Sequence, residues 1–256
     1  MDDASRSIAT HWRRWTRLLG LGVLLSVVAG AWAGPAAAQT PVGLELVLAV
    51  DASGSVDLSE FDLQKHGLAS AFRDAEVIAA LEAFAPAGIA VALVQWSGRR
   101  QQMVVIDWTL VRDRPSAIAF ARAVETTGRW LLGETAIADA LAFGIELLER
   151  NRFEGARRTI DISGDGPTNA GGDPDPVRDA AVAAGITING LAIVNEIPTL
   201  DIYFAEHVIG GLDAFLLIAK DYQDFARAIR QKLLREIEGA GLAGRDAAGP
   251  HLAEGR

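Results

Sequence analysis

The sequence contains no cysteine. That excludes disulfides, thiolate nucleophiles, Cys-ligated zinc and Cys-ligated iron–sulfur clusters, and with them lipoprotein attachment. Basic residues are outnumbered, 24 Lys+Arg against 33 Asp+Glu, for a formal charge of -9. A nucleic-acid binder needs a basic surface to neutralise phosphates, so that class is set aside. There are only 4 histidines. His66, His207 and His251 lie far along the chain, and none sits beside a Ser or Asp cluster, so a Ser/His/Asp triad lacks its base. No Gly-x-Ser-x-Gly elbow occurs. Neither Gly-x-Gly-x-x-Gly after the first strand nor Gly-x-x-x-x-Gly-Lys-Ser/Thr is found, which removes the usual nucleotide cradles. An aspartyl phosphatase would want a second acid two residues after Asp51, where Ser53 stands. What is abundant is apolar: 50% hydrophobic residues in a chain of 256, enough for a sizeable core.

One apolar run stands apart. Arg13, Arg14 and Arg17 precede Leu18 to Ala33, followed by Ala36-Ala37-Ala38. This is the tripartite form of a secretory signal, with residues 1–38 removed before Gln39. The run of about 16 residues is short for a span of roughly 20. The alternative is a retained inner-membrane anchor with the domain facing the periplasm, the one case that would bring membrane contact. The expected location is otherwise the periplasm or the exterior.

From residue 41 to 238 the chain alternates apolar runs with helical patterns, and a Gly/Ala-rich tail, 239–256, reads as loose. Val42–Val50, Ile89–Trp96, Gln102–Trp108, Arg158–Ser163, Ile186–Ile193 and Ala214–Ala219 read as strands. The turn at Ser97–Arg100 is too short for a parallel crossover, so the second and third strands must be antiparallel. Helices are expected after Ser59 as cap, over Ala75–Phe84, Arg114–Thr126 and Thr135–Arg150, from Asp175 as cap to Ala184, over Thr199–Val208, and from Asp221 as cap to about Glu238. The Arg/Glu pattern of that last helix reads as a solvated face with i,i+4 pairing. The fold class is α/β: a doubly wound, mostly parallel six-stranded sheet with one antiparallel edge strand and helices on both faces. Ligands should gather at the carboxyl ends of its central strands.

Three polar clusters fall at such places: Asp51-Ala52-Ser53-Gly54-Ser55, Gly133-Glu134-Thr135 and Ser163-Gly164-Asp165-Gly166. Singly, each reads as a turn or a helix cap. Together, Asp51, Ser53, Ser55, Thr135 and Asp165 offer only oxygen donors, which suit Mg²⁺, with Mn²⁺ or Ca²⁺ as alternatives. Asp173 and Asp175 are a weaker candidate for a second cation, since capping accounts for Asp175. Trp96, Met103 and Trp108 read as hairpin packing or, less simply, as a docking patch.

The order Asp-x-Ser-x-Ser, a lone Thr, then Asp-Gly resembles a von Willebrand factor type A domain with a metal-ion-dependent adhesion site. The stretches Leu48–Val56 and Asp161–Asn169 are similar to a branch of that family found in exported bacterial proteins. The resemblance covers about residues 42–235. It implies that Ser53, Ser55 and Thr135 offer hydroxyls to the metal, and that Asp51 and Asp165 act directly or through water. It also implies a non-enzymatic, cation-dependent adhesion or assembly module whose protein partner presents an Asp or Glu. A metal-assisted hydrolase is the alternative, with Asp51 or Asp165 handling the proton. One position departs from the family motif: Gly164 stands where Thr usually precedes the second Asp.

Overall fold

The computed structural model describes residues 39–247. Six strands form one sheet in the order β3-β2-β1-β4-β5-β6. β1 (Thr40–Asp51) lies at its centre, parallel to β2 (Ile89–Trp96) on one side and to β4 (Phe153–Gly164) on the other. β5 (Ile186–Ile193) and β6 (Leu216–Ala219) continue the parallel array. β3 (Gln102–Val111) is the antiparallel edge expected from its short turn.

Side chains alternate across the sheet, so β1 feeds two cores. Leu44, Leu46 and Leu48 join a core built with α1 (Leu58–Arg73), α2 (Ala75–Ala83), α3 (Arg114–Thr126) and α7 (Phe225–Ala247). Val47 and Ala49 face the other core, with α4 (Ile137–Glu149), α5 (Asp175–Ala183) and α6 (Leu200–Tyr203). Burial on both faces is why β1 and β2 read as unbroken apolar runs.

Several element ends differ from expectation. Asp57, not Ser59, caps α1: its side chain accepts the Glu60 N–H while Glu60 reaches back to the Asp57 N–H. That reciprocal pair needs an acceptor three residues ahead of Glu60, a spacing Ser59 lacks. Asp74 separates α1 from α2 by capping the second helix. α4 starts at Ile137, two residues later than expected, because Thr135 is held in a loop. Pro174 rather than Asp175 is the N-cap of α5, and Asp175 turns its carboxylate to His207 and Arg178. The expected helix over 199–208 divides into α6 and a π-helical turn, Phe204–Val208. α7 begins at Phe225; Asp221 accepts the Asp224 N–H at 2.8 Å in the turn before it.

The last helix also runs past Glu238, to Ala247, so the stretch read as loose begins as helix. Its expected solvated Arg/Glu face holds for Arg227, Arg235 and Glu238, which are exposed, but not for Glu236. Lys232 and Glu236 are fully buried against the sheet. They fall on the same stripe as Ala228, Ile229, Leu233 and Ile237, and the helix cannot bury these without them. Trp96 and Trp108 are core residues, which settles them as packing; Met103 remains exposed. The proposed signal segment lies outside the described residues. Among the described residues, no helix is long and apolar enough to cross a membrane.

The chain builds β1, β2 and β3 on one side of the sheet, then crosses to β4 on the other. The strand order therefore reverses between β1 and β4. Divergent connections open a crevice at their carboxyl ends, and Asp51 and Asp165 stand on its two sides.

Candidate metal centre

β1 ends at Asp51, and the chain then doubles back toward α1. The Ser53 N–H donates to Asp51 Oδ1 at 2.7 Å, which fixes both the turn and the carboxylate. The hydroxyls of Ser53 and Ser55 lie 3.1 Å apart. Ser55 Oγ donates to Asp165 Oδ1 at 2.8 Å, joining the loops after β1 and β4. Four of the five expected residues thus form one hydrogen-bonded group.

Thr135 enters differently. It is buried, and among the described residues its hydroxyl pairs with none of the other four. Its loop is instead stitched to both neighbours through the backbone. The Gly54 N–H donates to the Gly133 carbonyl at 2.7 Å, and the Thr135 N–H donates to Asn169 Oδ1 at 2.7 Å. The Thr135 carbonyl in turn accepts from the Asn169 N–H at 2.9 Å and Thr168 Oγ1 at 3.1 Å. Gly54 suits this approach, since a Cβ there would stand 3.2 Å from the Gly133 oxygen. Glu134, beside Thr135, is exposed.

Residues not anticipated hold the group in place. Tyr222 donates its hydroxyl to Asp165 Oδ2 at 2.8 Å, so both oxygens of Asp165 are engaged. Arg129 donates to the carbonyls of Ser53, at 2.6 Å, and Ala52, at 3.2 Å. Gln64 of α1 donates to the Asp51 carbonyl at 3.2 Å. The signal for Tyr222 was present: it follows β6, whose carboxyl end lies on the same edge of the parallel sheet as Asp51 and Asp165. Arg129 sits in a loop with no local pattern to mark it.

One carboxylate oxygen at the site is left unsatisfied. Asp51 is fully buried and its Oδ2 has no hydrogen-bond partner. Burial first, and then the charge of Asp165, push its carboxyl up to about 7, against the lowering effect of the Ser53 bonds. Two buried carboxylates facing each other, one oxygen unpartnered and two hydroxyls beside them, fit an oxygen-binding cation. Gly164 bears on the same oxygen. A Cβ at that position would stand 3.0 Å from Asp51 Oδ2 and 3.4 Å from the Trp96 ring. Glycine in place of the usual Thr therefore leaves that oxygen uncrowded.

The second acidic cluster behaves otherwise. Asp173, Asp175 and His207 bring one ligand-type atom each to within 4.8 Å of one another. Yet His207 Nδ1 holds Asp175 Oδ2 at 2.7 Å and Arg178 holds Oδ1 at 2.7 Å. A guanidinium already supplies the positive charge there.

This sheet order, with an Asp-x-Ser-x-Ser loop at its switch point, defines a von Willebrand factor type A fold. Similar solved structures bear this out. Proximal thread matrix protein 1 from the mussel byssus, with a zinc-occupied MIDAS motif, gives a TM-score of 0.55 at 14% identity over 79% of this chain and 47% of that one. A von Willebrand factor type A protein from Catenulispora acidiphila gives 0.55 at 18% identity, over 77% of this chain and 43% of that one. The pilus adhesin SpaC from Lactobacillus rhamnosus GG gives 0.57 at 13% identity, over 78% of this chain and 31% of that one. The chain thus spans less than half of each of these proteins. Among curated proteins, none matches the sequence. The family described as "Protein of unknown function (DUF1194)" matches residues 41–241, and the chain belongs to it.

The raised Asp51 pKa has a testable sign. A carboxyl that keeps its proton more tightly when folded loses stability on ionising, here as pH rises from the ordinary 3.8 through about 7. In chelator, Asp51→Asn should gain stability relative to the wild type across that window and level off above it. Thermal unfolding of both proteins at a series of pH values checks this. A stability difference that does not change with pH would show that Asp51 ionises normally.

Proposed function

We propose that Asp51, Ser53, Ser55, Thr135 and Asp165 hold a divalent cation, Mg²⁺ in the first instance with Mn²⁺ or Ca²⁺ as alternatives, and that the chain is a cation-dependent protein-binding module. The observation that carries this reading is the buried, unpartnered Oδ2 of Asp51 beside Asp165. The bound cation would supply positive charge and a coordination position for an acidic group of a protein partner. Ser53 and Ser55 add neutral oxygens, so the donor set carries only two carboxylates. Two carboxylates only balance a divalent cation, so one further acidic group, an Asp or Glu from outside, can enter the open position without building up a large negative charge. Tyr222 and Arg129 act as positioning residues: one orients Asp165, the other holds the serine loop.

The surroundings suit a protein ligand. Leu58, Trp130 and Leu132 are well exposed and lie close in sequence to Ser55 and Gly133. They give the segments that carry Ser55 and Thr135 exposed apolar side chains. Among the described residues, a hydrolase gains no support from the histidines. His66 bonds the Asp62 carbonyl on α1, and His207 pairs with Asp175. Export is part of the same proposal and rests on the signal-like pattern of residues 13–38, which would direct the module to the periplasm or outside the cell.

A crosslinked pull-down from envelope extract tests the reading, run in Mg²⁺ and in chelator. A partner retained by wild type in Mg²⁺, and lost both in chelator and with Asp165→Ala, is the expected result. A partner retained equally under all three conditions would place the contact elsewhere.

A further inference from the structure

The buried charges of α7 have no part in the metal centre. Lys232 and Glu236 are each 0% exposed, and Asp161 of β4 is 2% exposed. Lys232 Nζ lies 3.2 Å from Asp161 Oδ1 and 3.7 Å from Glu236 Oε1. The Phe215 ring closes the space, with its centroid 4.6 Å from the amine. Asn189 of β5 donates to Glu236 Oε1 at 2.5 Å and accepts the Phe215 N–H at 2.8 Å, which fixes Glu236.

As an ion cluster this arrangement is poorly satisfied. Lys232 Nζ, Asp161 Oδ2 and Glu236 Oε2 are buried without hydrogen-bond partners. Fully ionised, it would enclose two negative charges and one positive, and dry burial of ions is costly unless every one is paired. Burial pushes the Asp161 carboxyl up, to about 7; Lys232 opposes that shift and Glu236 adds to it. The surroundings therefore favour the un-ionised carboxyl of Asp161, which is an electrophile, and the amine of Lys232 is the nucleophile in contact with it.

We propose that Lys232 and Asp161 become joined by an intramolecular isopeptide bond, with Glu236 as the proton carrier, tying α7 covalently to β4. Lys232 Nζ attacks Asp161 Cγ and a C–N bond forms. The bond from Cγ to one carboxyl oxygen breaks, and that oxygen leaves as water with the carboxyl proton and one amine proton. Glu236 takes the proton from the amine and returns it to the departing hydroxyl, ending unchanged. No oxidant, reductant or cofactor is consumed. The fold supplies the effective concentration by holding the reacting groups in contact within a dry site. The amide is neutral, so the reaction removes the buried charges of Lys232 and Asp161, while Glu236 stays held by Asn189. It also fastens α7, the C-terminal element of the described fold, to the sheet.

Peptide mapping of the full-length protein as isolated is decisive. Trypsin should leave Gln231–Arg235 uncut at Lys232 and joined to Thr159–Arg178, the pair lighter than its two parts by one water. Intact wild-type protein should likewise be one water lighter than its composition requires, when compared with Glu236→Gln processed in the same way. Glu236→Gln keeps the shape and the bond from Asn189 can be re-formed through its amide oxygen; it should give the two peptides unlinked. Asp161→Ala supplies a second unlinked control. Recovery of free Thr159–Arg178 and of Leu233–Arg235 from wild type, with no joined species, overturns the proposal and leaves a buried ion cluster.

Discussion

Asp165→Ala is expected to remove divalent-cation binding, so that a calorimetric titration with Mg²⁺ or Mn²⁺ that gives a binding isotherm for the wild type gives none for the variant. The reason lies in how many contacts meet on this side chain. One oxygen accepts Ser55 and the other accepts Tyr222. Removing the carboxylate takes away half of the negative charge of the donor set and releases the Ser55 hydroxyl from its orientation. It also relieves Asp51 of a neighbouring charge, which moves that carboxyl back toward its ordinary range. The fold itself should persist, because Asp165 lies just past the end of β4 and the sheet register does not depend on it. Far-UV circular dichroism separates loss of the site from loss of the protein. Unchanged affinity in a folded variant would remove Asp165 from the site and, with it, the proposed module.

Phe72→Ala should lower the unfolding free energy by about 3–5 kcal/mol, the range for truncating a large aromatic in a packed core. Phe72 is fully buried near the end of α1 and packs on Phe120 of α3, with ring centroids 4.6 Å apart. The variant loses that burial and leaves a cavity in the core between α1, α3 and the sheet. Urea unfolding followed by tryptophan fluorescence measures the change as a shift in midpoint at constant slope. A loss below about 1 kcal/mol would mean that the α1–α3 layer collapses around the gap. Phe72 also bears indirectly on the metal centre, because α1 carries Gln64, which holds the Asp51 carbonyl.

Much of the architecture was legible because the physics behind it is local. A run such as Leu44–Val50 must be buried on both faces, and only a central strand offers that. A turn as short as Ser97–Gln101 can join only antiparallel neighbours, so β3 had to be the odd strand. Asp51 and Asp165 stood out because each directly follows such a run. The failures share one cause. Ser59 and Asp57 are both competent caps, and the choice turned on whether Glu60 could reach back. Asp175 looked like a cap until His207, distant in sequence, and Arg178, one helical turn on, claimed its oxygens. Glu236, four residues after Lys232, has the spacing of a solvated pair whether or not a sheet lies against it.

By itself the sequence determined the doubly wound α/β class, the antiparallel edge, and the residue types offered at the strand ends. These follow from burial periodicity and turn length, which act over a few residues. Only the tertiary structure decided that Tyr222 and Arg129 brace the crevice, that Asp51 keeps an unpartnered oxygen there, and that Lys232, Asp161 and Glu236 meet in a dry interior. Each of those depends on elements far apart in the chain coming within a few ångströms. Hydrogen bonds and desolvation act at that range, and no local pattern carries them.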